Sequence, residues 1–303
     1  MLLPKTTDHI LSVSHNDSDG VTCQILLGNV FNNITFVTSS FYELDKMVQN
    51  LEFDQYDTII FTDIHPSHPE SVELLKQQPP GKVILIDHHE SFINMHDPSN
   101  GFIVVEGMCG AALVKKFLEH YYKADLSKYD QMIYIVNDYD MYTLKNPKSR
   151  CFHELLYGLY KIPQYRTEFV SGRTRFNKKE LEFLRRIRAQ FKTIWGSLDV
   201  FDLKTVKGCV IYSNEFMNEL ADKLMKEHGY RIVFVKHIRN GRVSVRHNIA
   251  GFKIGDLLKQ LNFGGGHDKA AGMWVIDDMD LKNKVGVIEG VVGAYLKEHN
   301  VAN

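Results

Sequence analysis

The chain has 303 residues, 44% of them hydrophobic and 24% charged, which is ordinary globular composition and enough length for two cores. Thirty-six Lys and Arg against 37 Asp and Glu leave a net charge of −1, so a preference for nucleic acid or membrane would have to sit in a local patch. No apolar stretch nears the ~20 residues of a membrane span, no signal-peptide core opens the chain, and Cys23, Cys109, Cys151 and Cys209 form no Cys-x-x-Cys pair, which argues against a disulfide framework or thiolate zinc site and leads us to expect a cytoplasmic protein without a membrane partner.

The first half alternates strand and helix signals, which predicts an α/β fold with a parallel sheet. Ile10 to Val13 reads as a strand, Val21 to Phe31 as a helix, Ile34 to Val37 as a short strand and Phe41 to Leu51 as a helix. A strand over Thr58 to Thr62, a helix near Pro69 to Gln77 and a strand over Lys82 to Ile86 follow, with Pro79-Pro80-Gly81 as the break between the last two. Phe102 to Val105 is another strand candidate. Gly107 to Gly110 then open an amphipathic helix over Ala111 to Tyr122, as a tight turn or as free N–H groups for an anion. Ser127 to Val136 reads as a helix delivering Asn137-Asp138-Tyr139-Asp140.

The alternation stops near residue 150. Residues 151 to 200 are expected to be a helical connector, basic from Arg166 to Lys192, and ending in a long helix from Lys178 to Trp195. Such a charge run is usually a solvated helix face. A second, smaller α/β unit follows from 201 to 303. Strands are expected at Gly208 to Tyr212, Ile232 to His237, Gly241 to His247 and Met273 to Ile276, with an Arg239-Asn240-Gly241 hairpin turn joining the second and third. Helices are expected at Asn214 to His228, Gly251 to Leu261 and Leu281 to His299.

Three apolar strands run straight into acids and imidazoles: the first into His15-Asn16-Asp17-Ser18-Asp19-Gly20, the third into Asp63, the fourth into Asp87-His88-His89. Open α/β sheets place their chemistry at such strand ends. His15, Asp17, Asp19, Asp63, His88 and Asp138 together are carboxylates and imidazoles without thiolates, a donor set for Mn²⁺ or Mg²⁺. Converging carboxylates repel one another unless a cation lies among them. Two divalent ions ~3.5–4 Å apart would deprotonate a water and polarise a phosphoryl group, so hydrolysis of a phosphate ester or anhydride is the chemistry to expect. Each piece alone has a plain structural explanation as a turn, a cap or a core histidine; their ordered occurrence behind successive elements is what points to a site. Asn16, Ser18, His65 and His68 have ordinary turn or surface explanations.

These segments resemble the four ordered motifs of the DHH phosphoesterase superfamily, whose members include RecJ exonucleases, nano-RNases, cyclic-dinucleotide phosphodiesterases and manganese pyrophosphatases. Val243-Ser244-Val245-Arg246, Gly264-Gly265-Gly266-His267 and Ala270-Ala271-Gly272 are similar to the associated DHHA1 substrate domain. The resemblance implies a DHH catalytic domain over 1–150 and a DHHA1 domain over 201–303, and the His-Asn-Asp-x-Asp-Gly form looks most like the nano-RNase B branch. It implies that Asp17 and His15 hold one ion, that Asp19, His88 and Asp138 hold the other, and that Asp63 bridges them; Asp140 competes with Asp138, which comes first after the apolar run. Asp87 would orient His88, and His89 would serve the substrate phosphate as donor or general acid. Arg246, Gly264, Gly265, Gly266 and His267 would bind substrate, with Arg242 either beside them or solvated. The implied protein is an enzyme with two Mn²⁺, replaceable by Mg²⁺ or Co²⁺, that hydrolyses short single-stranded RNA or DNA oligonucleotides or dinucleotides. Cyclic-dinucleotide or pAp-type nucleotide hydrolysis, inorganic pyrophosphate hydrolysis and a non-catalytic binding module are the alternatives. The oligomeric state stays open, a homodimer included.

Overall fold

A computed structural model of the chain describes residues 2–266 and 268–299. Contacts divide it into two units, residues 1–185 and 186–303.

In the first unit five strands form one parallel sheet: β1 (Ile10–His15), β2 (Ile34–Ser39), β3 (Thr58–Thr62), β4 (Val83–Asp87) and β5 (Phe102–Val104), in the order β2-β1-β3-β4-β5. β3 and β4 are buried along their whole length, as aliphatic runs covered on both faces must be. Alternate residues sort to opposite faces. Leu11, Val13, Ile59, Phe61, Val83 and Leu85 pack with Leu44 and Val48 of α2 (Phe41–Gln49) and Leu75 of α3 (Pro69–Lys76). Full burial of each such side chain contributes about 1.5–3 kcal/mol. The other face carries α1 (Ser18–Leu27) and α4 (Gly110–Tyr122), which pack on each other. Because β2 lies to one side of β1 and β3 to the other, the order reverses at β1 and β3, and a crevice opens beyond their carboxyl ends.

The expected helix after Ser127 runs further than anticipated, as α5 (Asp130–Asp140), so all of Asn137 to Asp140 lies on its last turn. α6 (Ser149–Gly158) and α7 (Ile162–Phe169) do not form a separate connector. They bury Cys151, Phe152, Leu155, Tyr165 and Phe169 and pack against α5 and α1, inside the first unit. The division falls within α8 (Lys178–Gly196). Its first turns bury Glu180, Phe183 and Leu184, whereas Phe191, Ile194 and Trp195 pack on the core of the second unit.

The second unit is a six-stranded mixed sheet of β6 (Val200–Asp202), β7 (Gly208–Tyr212), β8 (Ile232–Lys236), β9 (Arg242–His247), β10 (Gly264–Gly266) and β11 (Ala270–Trp274), in the order β10-β11-β9-β8-β7-β6. Only β7 and β8 are parallel. α9 (Met217–His228) covers one face of β7 and β8, and α10 (Ile254–Gln260) and α11 (Asp278–Glu298) cover the other. The short edge strand β6 was not anticipated, and β11 starts three residues earlier than the expected Met273. The reason is pairing: Gly264, Gly265 and Gly266 form an antiparallel edge opposite Met273, Gly272 and Ala271. Among the described residues no helix is long and apolar enough to cross a membrane.

Candidate metal centre

The turn after β1 makes the first wall. Asp17 caps α1, its Oδ1 accepting from the Asp19 and Gly20 amides at 3.0 and 2.9 Å, while His15 Nδ1 lies 2.9 Å from its Oδ2. Gly20 is required there, since a Cβ would stand 2.2 Å from the His15 carbonyl oxygen. Burial raises the Asp17 carboxyl, but the hydrogen bond and charge of His15 outweigh it and hold the group below the usual carboxylate range. Asp19 is held from the opposite side: its two oxygens accept the Gly110 and Ala111 amides at 2.6 and 2.9 Å. The anion met by the N-terminus of α4 is thus this carboxylate. Gly110 has no room for a side chain, because a Cβ would fall 2.8 Å from that of Asp63.

Asp63, just past β3, is buried and adopts a left-handed backbone with φ of 57°. A non-glycine residue held there costs about 1–3 kcal/mol, a strain that concentrates at functional sites. Its Oδ1 lies 3.1 Å from His88 Nε2 and its Oδ2 3.9 Å from His15 Nδ1, so it stands between the two groups of donors. Burial first, then the charges of Asp19, Asp17, Asp140 and Asp87, push its carboxyl well up.

Two expectations about partners are corrected. Asp87 does not orient His88; its Oδ1 lies 2.7 Å from His89 Nδ1. Burial lowers the His89 imidazole, and the Asp87 charge and hydrogen bond more than reverse this, so His89 holds its proton above the ordinary histidine range. His88 is lowered by burial and turns to Asp63 and Asp140. Nor does Asp138 reach the centre. Its carboxylate accepts from Thr143 Oγ1, Ser149 Oγ, and the amides of Lys145 and Asn146 at 3.0 and 2.8 Å, which pin the turn after α5. Burial raises that carboxyl, and these donors prevail and bring it to about 2. Asp140 takes the place expected of Asp138, with Oδ2 3.5 Å from His88 Nε2. Two residues on a helix are rotated by about 200°, so only one of the pair can face the centre.

Donor atoms therefore gather in overlapping groups: His15, Asp17 and Asp63; Asp19, His88 and Asp140; and Asp63, Asp87, His88 and His89, the atoms of each within 4.8 Å of one another. Buried oxygens of Asp63, Asp87 and Asp140 make no hydrogen bond. Unsatisfied buried carboxylate oxygens aimed into a nest of acids are what hard divalent cations satisfy, so these residues fit a metal. Sequence reasoning missed Phe41, whose ring stands 4.9 Å from that of His15 and 5.2 Å from that of His89. His65 is taken up by Pro66 O and Ser91 Oγ, and the His68 amide by Asp45.

In the second unit Arg246 projects from β9 and donates to Asn218 Oδ1 at 2.7 Å. Gly264, Gly265 and Gly266 are strand residues in β10, and His267 lies outside the described residues.

A parallel sheet of five strands with acids and imidazoles at its switch point, followed by a mixed sheet of six, defines a two-domain phosphoesterase architecture. Residues 9–144 match the model of the DHH family, N-terminal domain, and residues 206–294 that of the DHHA1 domain; the chain belongs to the DHH/DHHA1 phosphoesterase superfamily. It is 23% identical over 299 residues to oligoribonuclease NrnB of Bacillus subtilis, covering 88% of this chain and 73% of that protein. Among solved structures, RecJ of Thermus thermophilus with Mn²⁺ aligns with a TM-score of 0.60 at 15% identity, over 96% of this chain and 52% of RecJ. The pGpG-specific phosphodiesterase PggH of Vibrio cholerae aligns at 0.59 and 17% identity, over 94% and 99%.

Proposed function

We propose that the protein is a two-metal phosphodiesterase that hydrolyses short single-stranded oligonucleotides. The observation that carries this reading is the convergence of buried, unbonded oxygens of Asp63 and Asp140 on one cluster with His15, Asp17, Asp19 and His88. His15, Asp17 and Asp63 would hold one ion and Asp19, His88 and Asp140 the other, with Asp63 reaching both. Mn²⁺ is the first candidate, with Mg²⁺ and Co²⁺ as substitutes. When bound, such ions supply an activated water and neutralise phosphoryl charge.

The chain's own residues do the rest. Asp63, strained and fixed at the strand end, and Asp19, fixed by two amides, arrive preorganised, so little is lost in ordering them. His89 keeps a proton because Asp87 balances it, which suits it to donate to the phosphate or to the leaving oxygen. Arg246 and the glycine edge of β10 would meet the rest of the substrate. The oligoribonuclease relative favours RNA among single-stranded substrates, and the PggH neighbour keeps dinucleotides, linear or cyclic, in view.

The test is product mapping of end-labelled RNA, DNA, cyclic dinucleotides and pyrophosphate, with Mn²⁺ and with EDTA. Metal-dependent release of mononucleotides from short RNA is the expected result, lost by more than a thousandfold in Asp63→Ala and in Asp140→Ala. Turnover retained in either variant, or confined to pyrophosphate, would refute the proposal.

A further inference from the structure

The second unit carries a sheet face of which the proposed reaction uses only Arg246. On β11, Ala271 and Met273 point into the core under α10 and α11, so Ala270, Gly272 and Trp274 share the opposite face. Their partners on β9 are Arg246, Ser244 and Arg242 in turn. Trp274 is 59% exposed, unusual for so large an apolar ring. Gly241 is what allows the indole to rest there: a Cβ at 241 would lie 2.8 Å from its Nε1 and 2.9 Å from its Cε2. The Nε1–Cε2 edge of the ring therefore lies against the Gly241 backbone. At Gly272 a side chain would meet nothing nearer than the Val243 carbonyl at 3.9 Å, so the surface between Trp274 and Ala270 is flat and open.

The charge on this face is positive. Exposed Arg242 lies directly across from Trp274, and Arg246 is steadied by Asn218, which also accepts from Ser244 Oγ at 3.4 Å. The acids that follow Trp274 are engaged: Asp278 by Lys236 at 3.6 Å, Asp280 by Lys284 at 3.1 Å, and Asp277 by the Asp280 amide as the cap of α11. An aromatic plane beside an arginine on an open strand is how single-stranded nucleic acid is held without sequence preference, the base on the ring and the phosphate on the guanidinium.

Given an oligonucleotide substrate as proposed above, we propose that this face is a track for the strand, with a base stacked on Trp274 and a phosphate on Arg242. The Arg246–Ala270 and Arg242–Trp274 pairs are four residues apart along the strands, about 13 Å. A dinucleotide gripped at Arg246 ends short of the indole; the third or a later base reaches it. The protein therefore favours substrates of three or more nucleotides over dinucleotides.

The chain has two tryptophans, so Trp195→Phe leaves Trp274 as the sole indole. In that full-length background, 5′-phosphorylated RNA of five nucleotides, added in EDTA, quenches the indole emission saturably, and RNA of two nucleotides quenches it little. Trp274→Ala weakens five-nucleotide binding about tenfold and lowers the five-to-two ratio of kcat/KM with Mn²⁺ by a similar factor, while Trp274→Phe restores most of both. Binding of the pentanucleotide, read by anisotropy of a labelled strand, with unchanged indole emission overturns the proposal. So does an unchanged length ratio in Trp274→Ala. A blue shift that grows with protein concentration and needs no RNA assigns the face, with its exposed neighbours Ile276 and Ile238, to a second copy of the chain instead. Failure of either RNA to bind or be cut removes the substrate reading itself, and the track with it.

Discussion

Asp138 and Asp140 sit two residues apart, carry the same functional group, and do opposite work. Asp138 gathers four donors and ties down a turn in which Tyr142 and Leu144 are both left-handed, whereas Asp140 points a buried oxygen at His88 and makes no hydrogen bond with it. Substitution separates them. Asp138→Asn replaces an acceptor by an amide facing N–H groups and costs about 2–3 kcal/mol in urea unfolding without metal. Asp140→Asn removes a carboxylate that its neighbours repel, so the metal-free protein keeps or gains stability. Adding Mn²⁺ reverses the order: at a hundred times its Kd it stabilises the wild type by about 2.7 kcal/mol and the Asp140→Asn protein far less. A metal response equal to the wild type's in Asp140→Asn would mean the ligand set is wrong. The sequence leads to the right four residues, Asn137 to Asp140, and to the wrong member, because nothing before the apolar run says where the helix stops. Once the helix reaches Asp140, its rotation decides which acid faces inward. The motif Asp87-His88-His89 shows the same limit. Its residue types promise a carboxylate-supported imidazole, but which imidazole is supported depends on side-chain directions that only the folded turn fixes.

At the scale of elements, the strands that end in acids were legible because burial on both faces leaves an unbroken aliphatic run, and the run stops where the crevice begins. The glycine hairpin was not legible: Gly264 to Gly266 have no strand propensity, and they are a strand because β11 offers an edge to pair with. The N-terminus of α8 is a third kind of case. Asn177 accepts from the Glu180 amide at 3.0 Å and Glu180 accepts from the Asn177 amide at 2.6 Å, a reciprocal cap. Glu180 is fully buried and also takes Arg173 through both oxygens, at 2.9 and 2.7 Å, and the Tyr160 hydroxyl at 2.8 Å. Burial raises its carboxyl, and Arg173 and the other donors prevail and lower it. A group whose folded value lies below its unfolded value of about 4.3 adds stability that is present above that value and lost as pH falls through the folded one. Glu180→Gln therefore destabilises by about 3 kcal/mol at pH 7, and the gap to wild type closes as the pH is taken below 4. Urea melts across that range measure it; a gap independent of pH would show that the pair contributes through shape and not through charge.

On the scale of the whole molecule, every proposed metal donor lies between His15 and Asp140, and all of them belong to the first unit, which has its own core on both sheet faces. The residues proposed to read the substrate lie in the second, which has cores of its own. Binding the ions and gripping the strand are then separable properties. The place to cut is within α8, after Arg185, because Glu180, Phe183 and Leu184 are anchored in the first unit and Phe191, Ile194 and Trp195 are not. A chain of residues 1–185 should fold, since the sheet, α1 to α7 and the Glu180 cap all remain. Its unfolding midpoint should rise with Mn²⁺, with an added stability within about 1 kcal/mol of the whole protein's under the same metal concentration. Its kcat/KM on a pentanucleotide should fall by a hundredfold or more, mostly through KM, because chemistry at the centre is kept and uniform binding is lost. A folded fragment that gains nothing from Mn²⁺ would place a ligand in residues 186–303 and break the separation. One that cleaves RNA as well as the intact chain would leave the second unit without a part in recognition.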